Sequence, residues 1–164
     1  MRRHITIVFL ILIPLILVST ALCGDLITAR VVGVADGDSI TVLAPGNRQV
    51  KIRLHGIDCP ESGQAFGRKA KQFTSSQCFG TTIRYRQVDI DRYGRTVATV
   101  YLEDGTELNL AILKAGFAWH YRRYSDRQDY ADAEEGARRA GIGLWADKDP
   151  TPPWEWRRER RNRS

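Results

Sequence analysis

Three short stretches hold residues able to act on a charged group. In Ile52-Arg53-Leu54-His55-Gly56-Ile57-Asp58-Cys59-Pro60-Glu61 an arginine is followed closely by two carboxylates. Asp36-Gly37-Asp38 puts two more acids at a glycine turn, and Asp91-Arg92-Tyr93-Gly94-Arg95 puts basic residues at another. Acids and a base so close together either neutralise one another as a solvated ion pair or converge on something charged. Taken singly, each stretch reads as an ordinary strand end or hairpin turn. What changes that reading is their combination in one chain: Asp38 at a strand start, Arg53 on a strand, Asp58 and Glu61 beyond it, and Arg95 after the second glycine turn.

The elements that must position these residues are legible from period and punctuation. Val50, Ile52 and Leu54 alternate with Lys51, Arg53 and His55, so Arg53 lies on a strand and Asp58 and Glu61 on the loop leaving it. Ile27–Ala35, Ser39–Leu43 and Gln49–Ile57 form three strands joined by tight turns. Phe66, Ala70 and Phe73 recur at helical spacing, which predicts a helix over Gln64–Gln77. Thr81–Ile90 and Thr96–Leu102 return to strand. A buried helix over Glu107–Ala115 follows, and a third helix begins near Ser125, whose spacing to Gln128 resembles a capping box. Leu144-Trp145 plugs the core behind it. Five strands with a helix between the third and fourth is the order of an OB barrel, so the expected class is α+β, a five-stranded barrel with three helices.

Length and composition agree with one globular domain: 164 residues, 43% apolar and 27% charged. Met1–Cys23 has the order of a secretory signal peptide: Arg2 and Arg3, an apolar run from Ile5 to Val18, then small residues. The run is shorter than the roughly 20 residues of a membrane span, which weighs against an uncleaved anchor. Leu22, bulky before Cys23, weighs against a lipid anchor. The expected organisation is a leader over 1–23, a domain over 26–146 and a Pro/Trp/Arg-rich tail over 147–164. In that tail Pro152-Pro153-Trp154-Glu155-Trp156 packs back and the remainder lies on the surface or loose. The formal charge of +6 drops to +4 without the leader, a modest excess that suits a polyanionic partner without requiring one. Export would allow Cys59 and Cys78 to be oxidised together, closing a loop worth about 3 kcal/mol in the chain-entropy model; two buried free thiols are the alternative. His55 and His120 have no acidic or Cys partner at metal-binding spacing and read as packed or solvated.

The set Asp38, Arg53, Asp58, Glu61 and Arg95, in the motifs D-G-D-[ST], R-x-x-x-I-D-x-P-E and D-x-Y-G-R, resembles the thermonuclease (staphylococcal nuclease-like) family, in particular its exported bacterial members. The resemblance covers roughly residues 27–145, and Gly143-Leu144-Trp145 with the Pro-Pro-Trp segment adds to it. It implies a calcium-dependent endonuclease acting outside the cytoplasm, periplasmic or secreted, on DNA and RNA, preferring single-stranded or frayed substrate and leaving 3′-phosphate ends. It implies Ca²⁺ held by Asp38, Asp58 and the backbone carbonyl of Cys59. Arg53 and Arg95 would clamp the phosphoryl oxygens, and Glu61 would take or orient the proton of the attacking water. Arg92 matches a basic residue near the substrate's terminal phosphate, while Tyr121 and Tyr124 offer rings for base stacking. No protein partner is implied, and a monomer is expected.

The chain departs from the family in two places. Cys59 stands where its best known member has threonine, and a basic loop after the catalytic acid is replaced by the short Ser62-Gly63-Gln64. Two rival readings remain: an OB-fold module that binds nucleic acid without cutting it, and a structural calcium clip in an envelope interaction protein.

Overall fold

A computed structural model describes residues 25–163; the leader read over Met1–Cys23 lies outside the described residues. The chain runs β1 (Ile27–Asp36), β2 (Ser39–Ala44), β3 (Arg48–Leu54), β4 (Ile57–Asp58), α1 (Gly67–Cys78), β5 (Thr82–Ile90) and β6 (Thr96–Tyr101). It continues through α2 (Leu108–Lys114), β7 (Trp119–His120), α3 (Gln128–Ala140) and α4 (Pro153–Asn162). Five of the strands close into a barrel in the order β1-β2-β3-β6-β5, with β3 and β6 parallel and the other recorded pairs antiparallel. This is the expected α+β barrel, with a fourth helix added by the tail.

The alternating apolar residues supply the barrel interior: Val31, Ile40, Val42, Ile52, Leu54, Ile83, Tyr85, Ala98 and Val100 are all buried. Burying side chains of this size is worth about 1.5–3 kcal/mol each, which is why the period-2 pattern fixes register so firmly. Leu108, Ile112 and Leu113 bring α2 onto the same core. Asn109, fully buried on α2, accepts from the Val100 amide at 3.1 Å and donates to the His55 carbonyl at 3.0 Å. That one side chain ties α2 to both β6 and the end of β3, where Arg53 sits.

Four local expectations change. The strand expected over Gln49–Ile57 breaks at His55-Gly56, and its far end becomes β4, which pairs with the short β7. Helix α3 starts at Gln128 with no side-chain cap; Ser125 instead accepts from the Arg127 amide at 3.4 Å, so the capping box is not made. The C-terminal segment is not loose, because Pro153 opens a helix that continues to Asn162. Proline suits that first helical position, its missing N–H being unused there and its φ already helical.

The fourth change concerns the cysteines. Cys59 and Cys78 are both free and buried, so the expected pairing is not made. Cys59 packs against Gly37, level with Ala70 on α1, whereas Cys78 lies eight residues further along that helix. Eight residues rise about 12 Å, too far for a bond that needs Cβ atoms roughly 4 Å apart. The Cys78 thiol donates instead to the Thr74 carbonyl at 3.2 Å.

Candidate active site

Backbone pairing delivers the acids to the arginine. Ser39 on β2 is opposite Arg53 on β3, and the Leu54 amide donates to the Asp38 carbonyl at 2.8 Å, so Asp38 arrives beside Arg53. Asp58 is fixed by its pairing with Trp119 across the β4–β7 ribbon. The turn before Asp38 can lie against Cys59 only because residue 37 is glycine; a Cβ there would stand 2.7 Å from the Cys59 Cβ.

Glu61 lies on the loop between β4 and α1, held by its own backbone. Its amide donates to the Gln64 side chain at 3.2 Å, and its carbonyl accepts from the Gln64 amide at 2.8 Å. Gly67 makes this loop feasible, since a Cβ there would clash outright with the Glu61 carbonyl.

The side chains then meet. Arg53 forms an ion pair with Asp38 through Nη1 and with Asp58 through Nη2, the latter at 2.6 Å. The second Asp38 oxygen accepts from the Cys59 amide at 2.6 Å. Both aspartates are buried, at 1% and 0% exposure, while Arg53 and Glu61 reach solvent. A carboxylate removed from water costs several kcal/mol unless it is paired and hydrogen-bonded, so this pair of acids requires cations beside it.

One of those cations was not foreseen. Arg157, on α4, donates from Nη2 to Asp58 Oδ2 at 2.8 Å and from Nη1 to Asp58 Oδ1 at 3.2 Å. The same Nη1 donates to Glu61 Oε1 at 2.6 Å. Burial alone would lower the Arg157 pKa, but its hydrogen bonds to Asp58 and Glu61 outweigh that and hold it above the ordinary guanidinium value. The signal in the sequence was the proline start of a helix followed by Trp154 and Arg157, three residues apart on one helical face.

Asp38, Arg53, Asp58 and Glu61 are thus brought together, whereas Arg95 stands apart. Its Nε donates to Asp91 at 2.7 Å and its guanidinium lies 5.7 Å from the Tyr93 ring, within the turn between β5 and β6. The β3–β6 register pairs Arg53 with Val97, and side-chain alternation puts residue 95 on the same face as residue 97. Arg92 shares that exposed turn, donating to the Tyr93 hydroxyl at 2.7 Å. Of the two tyrosines read as stacking platforms, Tyr121 already has one face covered by Trp154, nearly parallel at 5.2 Å. Tyr124 packs edge-on to Tyr121 and is 58% exposed, so it is the ring open to solvent.

The donor chemistry suits a hard cation. Oδ1 of Asp38 and Oδ1 of Asp58 both touch one guanidinium, so two buried carboxylates already converge on a single positive charge. Carboxylate oxygens are hard donors of the type calcium takes. Among the described residues no group of three or more His, Cys, Asp and Glu side chains is arranged around a metal position. A cation here would rest on two carboxylates. The Cys59 thiol takes no part: burial raises its pKa well above the ordinary value, with the nearby Arg53 opposing that only in part.

Residues 51–147 match a family model described as staphylococcal nuclease homologue. A protein of Haemophilus influenzae named as an uncharacterized endonuclease is 45% identical over 132 residues, covering 80% of this chain and 74% of that one. A micrococcal nuclease of Shigella flexneri is 41% identical over 145 residues, 81% of this chain and 82% of its own. An uncharacterized endonuclease of Escherichia coli O157:H7 is 41% identical over 136 residues, 83% and 88% of the two chains.

Proposed function

The chain belongs to the staphylococcal nuclease family, and from that membership we propose that it is an endonuclease hydrolysing phosphodiester bonds of DNA and RNA with little sequence specificity. The observation that carries the reading is the meeting of Asp38, Arg53, Asp58 and Glu61 in one cluster, part buried and part open to solvent.

Each residue has a role that its geometry supports. Arg53 is 18% exposed, so a PO₂⁻ group can reach the guanidinium whose Nη1 and Nη2 pair with Asp38 and Asp58. Arg95 supplies a second guanidinium from the β5–β6 turn when a phosphate draws it from Asp91, an exchange of one partly exposed ion pair for another. Glu61, one-third exposed, accepts or orients the proton of the attacking water. Asp38, Asp58 and the Cys59 carbonyl would hold Ca²⁺, which when bound supplies Lewis-acid stabilisation of the phosphoryl charge. Departure of the 5′-oxygen leaves 3′-phosphate ends. Tyr124 and Arg92 offer loose contacts to bases and phosphates, which fits a preference for single-stranded or frayed substrate. The leader expected over 1–23 supports action outside the cytoplasm.

The test is digestion of plasmid DNA and of RNA by the mature protein, with calcium or with a chelator. Cleavage with calcium, lost on chelation and restored by added calcium, with phosphate on the 3′ end of each fragment, is expected. Gel retardation without cleavage under both conditions would replace the enzyme by a binding module. Calcium-dependent melting with no nucleic-acid affinity would favour a structural clip.

A further inference from the structure

Helix α4 and the segment just before it touch the loop over 60–66 at three points. The Gln64 side chain donates to the Thr151 carbonyl at 2.6 Å, the Trp156 ring lies alongside Gly63, and Arg157 holds Glu61 at 2.6 Å. The helix is itself fastened: Pro153 is buried, and Trp154 stacks on Tyr121 while meeting Trp119 edge-on at 5.7 Å. Aromatic pairs of this kind add about 0.5–1.5 kcal/mol each beyond the area they bury. These anchors identify α4 as a wall of the site rather than a strap lying loosely over it.

We propose that Arg157 is a positioning residue for the reaction: it bridges Glu61 to Asp58 and so fixes the Glu61 carboxylate, leaving Oε2 to face the water that attacks. The inference rests on Glu61 serving as the proton acceptor. Two facts of the geometry carry it. Glu61 sits on a loop, its carboxylate is reached by Arg157 from α4, and the same guanidinium is also locked on a fully buried aspartate. A flexible carboxylate joined by a planar fork to a fixed one loses its rotamer freedom. Misplacement of a reacting group by about 1 Å costs on the order of 10² in rate.

The experiment compares full-length mature wild type with Arg157→Gln, Arg157→Lys, Glu61→Gln and the double variant, on a short fluorogenic single-stranded oligonucleotide at saturating calcium. Arg158→Gln serves as a control for loss of one charge from the same helix. Arg157→Gln is expected to lower kcat about 10–100-fold with KM within about threefold and an intact melting transition. Arg157→Lys is expected to recover part of the loss, and the double variant to be no slower than Glu61→Gln alone, since groups acting as a unit do not add. Trp154→Ala, which unfastens the helix without removing charge, should lower kcat in the same manner and covers the case that Arg157→Gln does not fold.

Losses that multiply in the double variant would overturn the inference, because Arg157 would then act without Glu61. So would a raised KM at unchanged kcat, which marks a phosphate contact, or a raised kcat, which marks occlusion. A loss seen at limiting calcium and absent at saturating calcium would assign Arg157 to Asp58 alone and overturn it likewise. A wild-type chain that cleaves neither substrate overturns the nuclease reading and this inference together. An active wild type with an unaffected Arg157→Gln overturns only the inference.

Discussion

Arg53 donates to Asp58 at 2.6 Å, five residues further along the chain, across a break in strand that the glycine at position 56 makes at a φ of +72°. The pair joins the barrel wall to the β4–β7 ribbon and, through Nη1, gathers in Asp38 as well.

Arg53→Ala removes a shared counterion from two buried carboxylates. Breaking such a pair costs about 3 kcal/mol, near the low end for buried pairs because Arg53 is partly exposed. The expected outcome is a lowered urea midpoint together with a rate loss of at least about 10²-fold. A variant with unchanged midpoint would show that the two aspartates do not depend on this guanidinium.

Arg95→Ala separates chemistry from stability. Its ion pair with Asp91 sits in a turn with both partners partly exposed, where such pairs contribute about 1 kcal/mol or less. Cleavage is expected to fall by about 10²–10³ while the melting curve barely moves. Digestion at the parental rate would remove Arg95 from the reaction.

The two buried cysteines should behave as inert thiols. Burial raises the Cys78 pKa to about 12 and puts that of Cys59 well above its ordinary value, so little thiolate is present to react. In the mature protein both are expected to resist a thiol reagent until denaturant is added, and a reductant should leave the melting temperature unchanged. A melting temperature that falls on reduction would restore the Cys59–Cys78 bridge.

His120 should make the fold acid-sensitive. Burial, then the charge of Arg122, lowers its pKa, with Arg127 adding to this and the Ser125 backbone and Asp129 opposing it. Tyr130 packs against the ring edge-on at 5.8 Å. The unfolded chain therefore binds the proton more readily than the folded one, and stability present above about pH 6.5 is lost as pH falls below it. Glu134, which accepts from the His120 amide, has its carboxyl raised by burial and works in the opposite sense nearer the carboxylate range. The melting temperature is expected to decline from pH 7 to 5.5 in the wild type and to do so less in His120→Gln. Equal slopes in the two proteins would assign the acid sensitivity elsewhere.

The chain order by itself determined the barrel and the strand or turn on which each candidate site residue sits. Alternation over Val50–Leu54 put Arg53 on a strand, glycine turns marked the strand ends, and the order of strands and helix left one sensible closure. These signals are legible because they act within about ten residues, where period and turn chemistry dominate. Tertiary structure alone decided which distant groups meet. Cys59 and Cys78 had suitable chemistry and loop length, but two turns of α1 separate them. Tyr121 read as an open ring until Trp154 covered it. Arg157 reaches Glu61 across 96 residues, because the helix that Pro153 starts continues past the Trp-rich segment expected to pack back and into the arginines expected to lie on the surface. Where that helix lands is set by aromatic packing of Trp154 against Tyr121 and Trp119, a fit of surfaces that becomes defined only once the barrel has closed.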